Sequence, residues 1–176
     1  MRITIPPLAL LACLTLTAAA VAQHEGHAHH ASAYADQEDS GIAALSPEEA
    51  RQLRDGAGMG LARAAELNHY PGPKHVLELA DELELSASQE AAVQAVHQEM
   101  HGEAVRLGEE ILAREGHLQQ RFAHRHLDEP VLRGATAEIA RLQGELRLVH
   151  LAAHLKTAGL LSAEQIEAYD RLRGYR

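Results

Sequence analysis

The chain has no tryptophan, one phenylalanine and four tyrosines, so that aromatics make up 3% of its 176 residues. An interior built on aromatic packing is excluded, and helices with narrow apolar seams are what such a composition supports. No stretch alternates β-branched and polar residues as a half-buried strand requires, which leaves an all-α chain rich in Ala, Leu, Glu and Arg. The single cysteine, Cys13, lies in the first apolar run. A disulfide or thiolate metal site is therefore excluded from any mature chain that has lost that run, and a metal there must be held by His, carboxylate or Met. Basic charge is also scarce: 16 Lys and Arg stand against 25 Asp and Glu, a formal net charge of −9. That balance argues against nucleic acid as a partner and suits cations or basic clients better.

What is present begins with a secretory pattern. One early arginine, an apolar run over Leu8 to Leu16 and the small residues Ala20-Val21-Ala22 form a signal peptide over residues 1–22, cleaved before Gln23. The run is interrupted by Pro6-Pro7 and is shorter than the roughly 20 apolar residues of a spanning helix. Cys13 sits inside the run rather than after it, so a lipoprotein site is not expected. The mature protein should be exported.

Residues 23–44 form a second region with almost nothing to bury, expected to be a disordered tail. It carries His24, His27, His29 and His30. Four imidazoles so close together can chelate a borderline divalent metal without a fold, and the alternative is a plain hydrophilic spacer.

Residues 45–176 carry the helical domain. Ser46-Pro47-Glu48-Glu49 is a capping box with proline at the first helical position, opening a short helix to about Asp55. Gly56, Gly58 and Gly60 interrupt the chain around Met59. They lack the Lys-Ser/Thr pair of a phosphate loop, and close helix packing is the reading that fits them. A helical pattern resumes over Leu61 to Asn68. The turn Asn68-His69-Tyr70-Pro71-Gly72-Pro73 follows, with Gly72 free to take a positive φ, and Pro73 opens a helix running to Leu85. His69 and His75 flank this turn in structural or solvent-exposed roles.

Ser86 and Gln89 form a second capping box and start a long arm. Its apolar seam is Val93, Val96, Met100, Ala104, Leu107, Ile111, Leu118 and Phe122. After a turn at Asp128-Glu129-Pro130, a second arm continues the seam through Val131, Ala135, Ile139, Leu142, Leu146, Val149 and Ala153. The short connection predicts a long antiparallel helical hairpin. Gly159 stops the second arm, and Ser162 with Gln165 caps a final helix to about Gly174. So narrow a two-layer strip should cover its remaining apolar edge by pairing with a second copy, as a homodimer.

Two histidine pairs stand out on the arms. His97 and His101 on the first, and His150 and His154 on the second, each have the i, i+4 spacing that places two imidazoles on one helical face. At about 100° per residue all four should edge one side of the hairpin, with His101 and His154 nearly level and the other two ~6 Å to either side. Completed by water, Glu or a second subunit, such a trio or quartet suits Zn, Ni, Co or Cu(II). The plain alternative is that histidines beside a seam merely cover apolar surface with a polar tip. His97-Gln98-Glu99-Met100-His101 is not a metallopeptidase motif, because the glutamate is third rather than second in the run, and no hydrolase activity is expected. His117, His124 and His126 crowd the end of the first arm as a solvated tip.

Two copies of Leu-Ser-x-x-Gln, Leu85 to Gln89 and Leu161 to Gln165, bracket this hairpin. The pattern resembles the LTxxQ group of periplasmic proteins, which includes Spy and CpxP chaperones and metal-responsive ZraP and CnrX types. The segment from Gly58-Met59-Gly60 through Tyr70-Pro71-Gly72-Pro73 to Leu79 is similar to a branch labelled periplasmic heavy-metal sensor or refolding chaperone. Serine replaces the family's threonine at Ser86 and Ser162, which leaves capping intact. The resemblance implies a helical hairpin dimerising into a curved cradle, a role in envelope stress and no catalysis. Its expectations are heavy-metal sensing or resistance on one side and ATP-independent chaperoning on the other, with metal ions, unfolded envelope proteins or a membrane sensor as partners.

Overall fold

The structure, a computed structural model, describes residues 41–175. The expected signal peptide and His24, His27, His29 and His30 fall outside the described residues. These residues form six helices and no strand: α1 (Pro47–Arg54), α2 (Arg63–Glu66), α3 (Pro73–Glu78), α4 (Ala87–Ala123), α5 (Glu129–Ala158) and α6 (Ala163–Arg173). None of them is long and apolar enough to cross a membrane.

Each major helix starts on local chemistry. Ser46, Ser86 and Ser162 accept hydrogen bonds from the backbone N–H of Glu49, Gln89 and Gln165, whose side chains bond back to the cap, and Asp128 accepts from Val131 N–H to open α5. Gly174 ends α6 in the left-handed conformation at φ 76°. α4 and α5, 37 and 30 residues long, run ~55 Å and ~45 Å at 1.5 Å per residue. They pack on one another, and Lys156 Nζ donates to Glu99 across the pair at 2.9 Å.

The interior divides into two apolar clusters. Ala50 and Leu53 of α1, Ala104, Leu107, Ile111 and Leu112 of α4, and Leu142 and Leu146 of α5 make the first. Val76 of α3, Leu83, Val93 of α4 and Tyr169 of α6 make the second. Along α4 the residues between the clusters include His97, Met100 and His101. On α5, His150 and His154 follow Leu146 directly in the helical repeat. Where the apolar core is interrupted, imidazoles stand instead.

Several expectations are corrected here. Residues 41–44 were assigned to the tail, yet Ile42 packs beside Leu45 on the first cluster and Ala43 N–H donates to Gln119 Oε1 at 2.7 Å. Burial of Ile42 outweighs the polar composition around it. The helix expected over Leu61 to Asn68 contracts to α2. That expected over Pro73 to Leu85 ends at Glu78, followed by turns in which Glu84 takes φ 49° and Leu85 N–H bonds Ala80 C=O. Phe122, the expected end of the seam, is 56% exposed.

The two Leu-Ser-x-x-Gln segments do more than cap. Gln89 Nε2 donates to Leu160 C=O at 2.9 Å and to Gln165 Oε1 at 2.8 Å, and Gln165 Nε2 donates to Leu83 C=O at 3.1 Å. The start of α4 is thus tied to the start of α6 by one part-buried amide cluster. Replacing either glutamine with alanine is expected to cost about 1–2 kcal/mol, and replacing both less than the sum of the two, because they share one cluster. Urea unfolding of the single and double variants checks this; strict additivity would contradict the coupling.

Candidate functional site

The break between the two clusters opens as a cleft of about 690 Å³. Its walls come from four places: the α1–α2 connection with Asp55, Gly56 and Met59; α2 with Arg63 and Glu66; Gly72 to His75 at the start of α3; and the facing sides of α4 and α5. His97, Met100 and His101 line it from α4, and His150 and His154 from α5. All four histidines singled out by spacing therefore border one space. His75 lines it too, with Nδ1 2.8 Å from Glu78 Oε2. His117, His124 and His126 do not reach it, and His69 is bonded elsewhere, Nδ1 lying 2.6 Å from Asp170 Oδ2.

Depth separates the histidines in a way the two-helix geometry did not foresee. His97 is half-buried and His101 exposed, their rings stacked with centroids 6.2 Å apart. His150 and His154 are only 3% and 7% exposed. They were expected at an edge, but the α2–α3 segment folds over that edge. Gly72 presses against His154: a Cβ there would lie 2.8 Å from His154 Cε1 and 2.9 Å from Glu66 Oε1. The glycine is needed for this close approach rather than for a positive φ, since its φ is −81°.

Burial decides protonation. His150 has its pKa lowered by desolvation first and by neighbouring His154 second, and His97 by desolvation and then by His101. Both imidazoles are held neutral near pH 7, the state in which a ring nitrogen can accept a hydrogen bond or bind a cation. His150 Nε2 is buried without any hydrogen-bond partner. A polar atom so placed costs free energy unless something fills the site. His154 Nδ1 lies 2.8 Å from Tyr70 C=O, so Nδ1–H donates to the carbonyl and the lone pair stays on Nε2. A backbone carbonyl behind an imidazole is the support found for metal-binding histidines.

Glu66 went unnoticed in the sequence. Its Oε1 lies 3.9 Å from His154 Nδ1, while Tyr169 Oη donates to both carboxylate oxygens at 3.1 and 3.0 Å. Burial, followed by the charge of Glu66, pushes the Tyr169 hydroxyl well above its ordinary pKa, so it stays a donor. No spacing rule links Glu66 to either partner. In the arrangement described, no three His, Cys, Asp or Glu side chains among the described residues are grouped as a ready-made metal cage. No family model matches the chain, and no curated protein or solved structure matches it.

Proposed function

We propose that this is a periplasmic metal-binding protein, serving heavy-metal sensing or resistance, of the Spy and CpxP-like kind that the Leu-Ser-x-x-Gln segments resemble. In this reading it is exported through a cleaved signal, works as a homodimer built on a long antiparallel hairpin, and catalyses no reaction. The observation that carries the metal reading is the convergence of His97, His101, His150 and His154 on one cleft, with His150 buried, neutral and unpartnered. Three of these imidazoles, with Glu66 or water completing the shell, are the donors that Zn, Ni, Co or Cu(II) would take.

The test separates cleft from tail. With residues 23–40 deleted, a saturating divalent metal at neutral pH should still raise the melting temperature, since a ligand held at 100 times its Kd stabilises the folded state by about 2.7 kcal/mol. His101→Ala, at an exposed position, should remove that rise, and His117→Ala should not. A tailless protein indifferent to all four metals would overturn the reading.

A second reading has its own observation. Leu148 and Leu155 on α5 are 63% and 64% exposed and lie seven residues apart on one side of the helix, and Leu148 borders a groove that Val96, Met100 and Ala152 also line. So much bare apolar surface suits an ATP-independent holdase for unfolded envelope proteins. Aggregation suppression that survives loss of metal binding and disappears in Leu148→Glu/Leu155→Glu would favour it.

A further inference from the structure

The chain has three methionines. Met1 starts it, and the other two, Met59 and Met100, both line the histidine cleft. Neither is a buried member of the two apolar clusters. The two apolar clusters are filled by Leu, Ile, Val, Ala and Tyr, with no methionine among their buried members. Met59 is 39% exposed, in a connection between glycines, and holds a left-handed φ of 46°. A residue with a side chain is strained at that φ, so backbone preference does not account for a methionine there. Met100 stands at i+3 from His97 and next to His101, half-buried at the boundary between the cleft and the neighbouring groove.

Thioether sulfur is a soft donor that Zn, Ni and Co use little and Cu(I) prefers. An imidazole-only cage is also not what the walls present, because no three His, Asp or Glu side chains are grouped as one. Adding two sulfurs changes the count: Met59 from the α1–α2 connection and Met100, His97 and His101 from α4 line the same cleft. Cu(I) accepts two to four such donors without a demanding geometry.

We infer that the cleft takes Cu(I), held by the thioethers of Met59 and Met100 together with the His97 and His101 imidazoles. This rests on the metal-binding reading above and narrows it to one oxidation state of one metal. The methionines set selectivity, while the histidines serve any borderline metal.

The experiment uses the mature full-length chain with its methionine methyl groups labelled with carbon-13, under anaerobic reducing conditions. Cu(I) is delivered from its bicinchoninate complex, and Zn(II) is titrated separately. Both methionine methyl signals should shift with one equivalent of Cu(I) and stay in place with Zn(II). Met59→Leu/Met100→Leu, which keeps volume and apolarity, should weaken Cu(I) binding at least tenfold and leave Zn(II) binding within twofold. If Cu(I) moves neither methyl signal, or the double variant holds it as tightly, the inference is overturned even where Zn(II) still perturbs the cleft histidines. If neither metal perturbs those histidines, the metal-binding reading fails and this inference falls with it.

Discussion

Replacing Gly108 with alanine is expected to destabilise the protein by about 2–3 kcal/mol, although alanine is the better helix former by ~1 kcal/mol. The reason is a contact between backbones. A Cβ at Gly108 would lie 2.0 Å from the carbonyl oxygen of Leu53, 2.7 Å from its carbonyl carbon and 3.2 Å from its Cα. No rotamer change relieves a clash with a main chain, so the last turn of α1 must lift from α4. Ala50 and Leu53, 8% and 5% exposed, then lose their packing in the first cluster. α1 also leads directly into Asp55, Gly56 and Met59 on the cleft wall, so the same variant should bind metal more weakly. Gly144→Ala is the matched control. Its added methyl meets nothing within 4 Å, and it should stabilise the protein by about 0.5–1 kcal/mol. Urea unfolding of both variants gives the answer directly. A Gly108→Ala protein as stable as Gly144→Ala would mean that α1 does not dock as described.

The same glycine shows where sequence reasoning stops. Ser46, Ser86, Asp128 and Ser162 were legible as helix starts because a cap is a contact between residues three apart, and composition alone set the all-helical class. The close approach of Gly108 to Leu53 joins residues far apart in the chain: periodicity on α4 sets Gly108 nearer the seam than Gly102 or Gly116, but it does not say which segment meets it. The amide cluster of Gln89 and Gln165 hid in the same way. The repeat of the motif was visible, whereas its self-association needs both helix starts to meet. The histidines fell in between. Their spacing put each pair on one face of its own helix and all four on one side of the hairpin, but a calculation on two helices has no means of knowing that the Tyr70–Pro73 segment covers that edge. Depth, and with it the neutrality of His150, comes from that third layer. Met59 and Met100 were read as loop and seam residues, and only the cleft brings them together.

Acidification from pH 7 to 5 is expected to remove stability through His150 and His97, and His150→Leu should remove most of that loss. Both imidazoles have folded-state pKa values below the unfolded value near ~6.5. Between the folded and unfolded values the unfolded chain binds more protons, so unfolding free energy rises with pH across that window. The contribution is full above about pH 6.5, declines as pH falls toward the folded values, and is constant below them. Each unit of depression corresponds to about 1.4 kcal/mol. The Glu78 carboxyl, lowered mainly by its bond to His75, loses its contribution only below the ordinary carboxylate range. Between pH 6.5 and 5 the two depressed histidines therefore make stability fall on acidification, while Glu115, whose carboxyl is raised by desolvation, acts in the opposite sense toward the carboxylate range. Leucine at position 150 removes a proton acceptor and an unpartnered buried nitrogen together, so the variant should match or exceed the native protein at pH 5 while losing part of its response to metal. Saturating metal should steepen the native protein's decline, because protons and metal compete for the same ring nitrogens. Urea midpoints at half-unit pH intervals, with and without metal, measure both effects. An acid decline in His150→Leu as deep as the native one would show that His150 is not held neutral by burial.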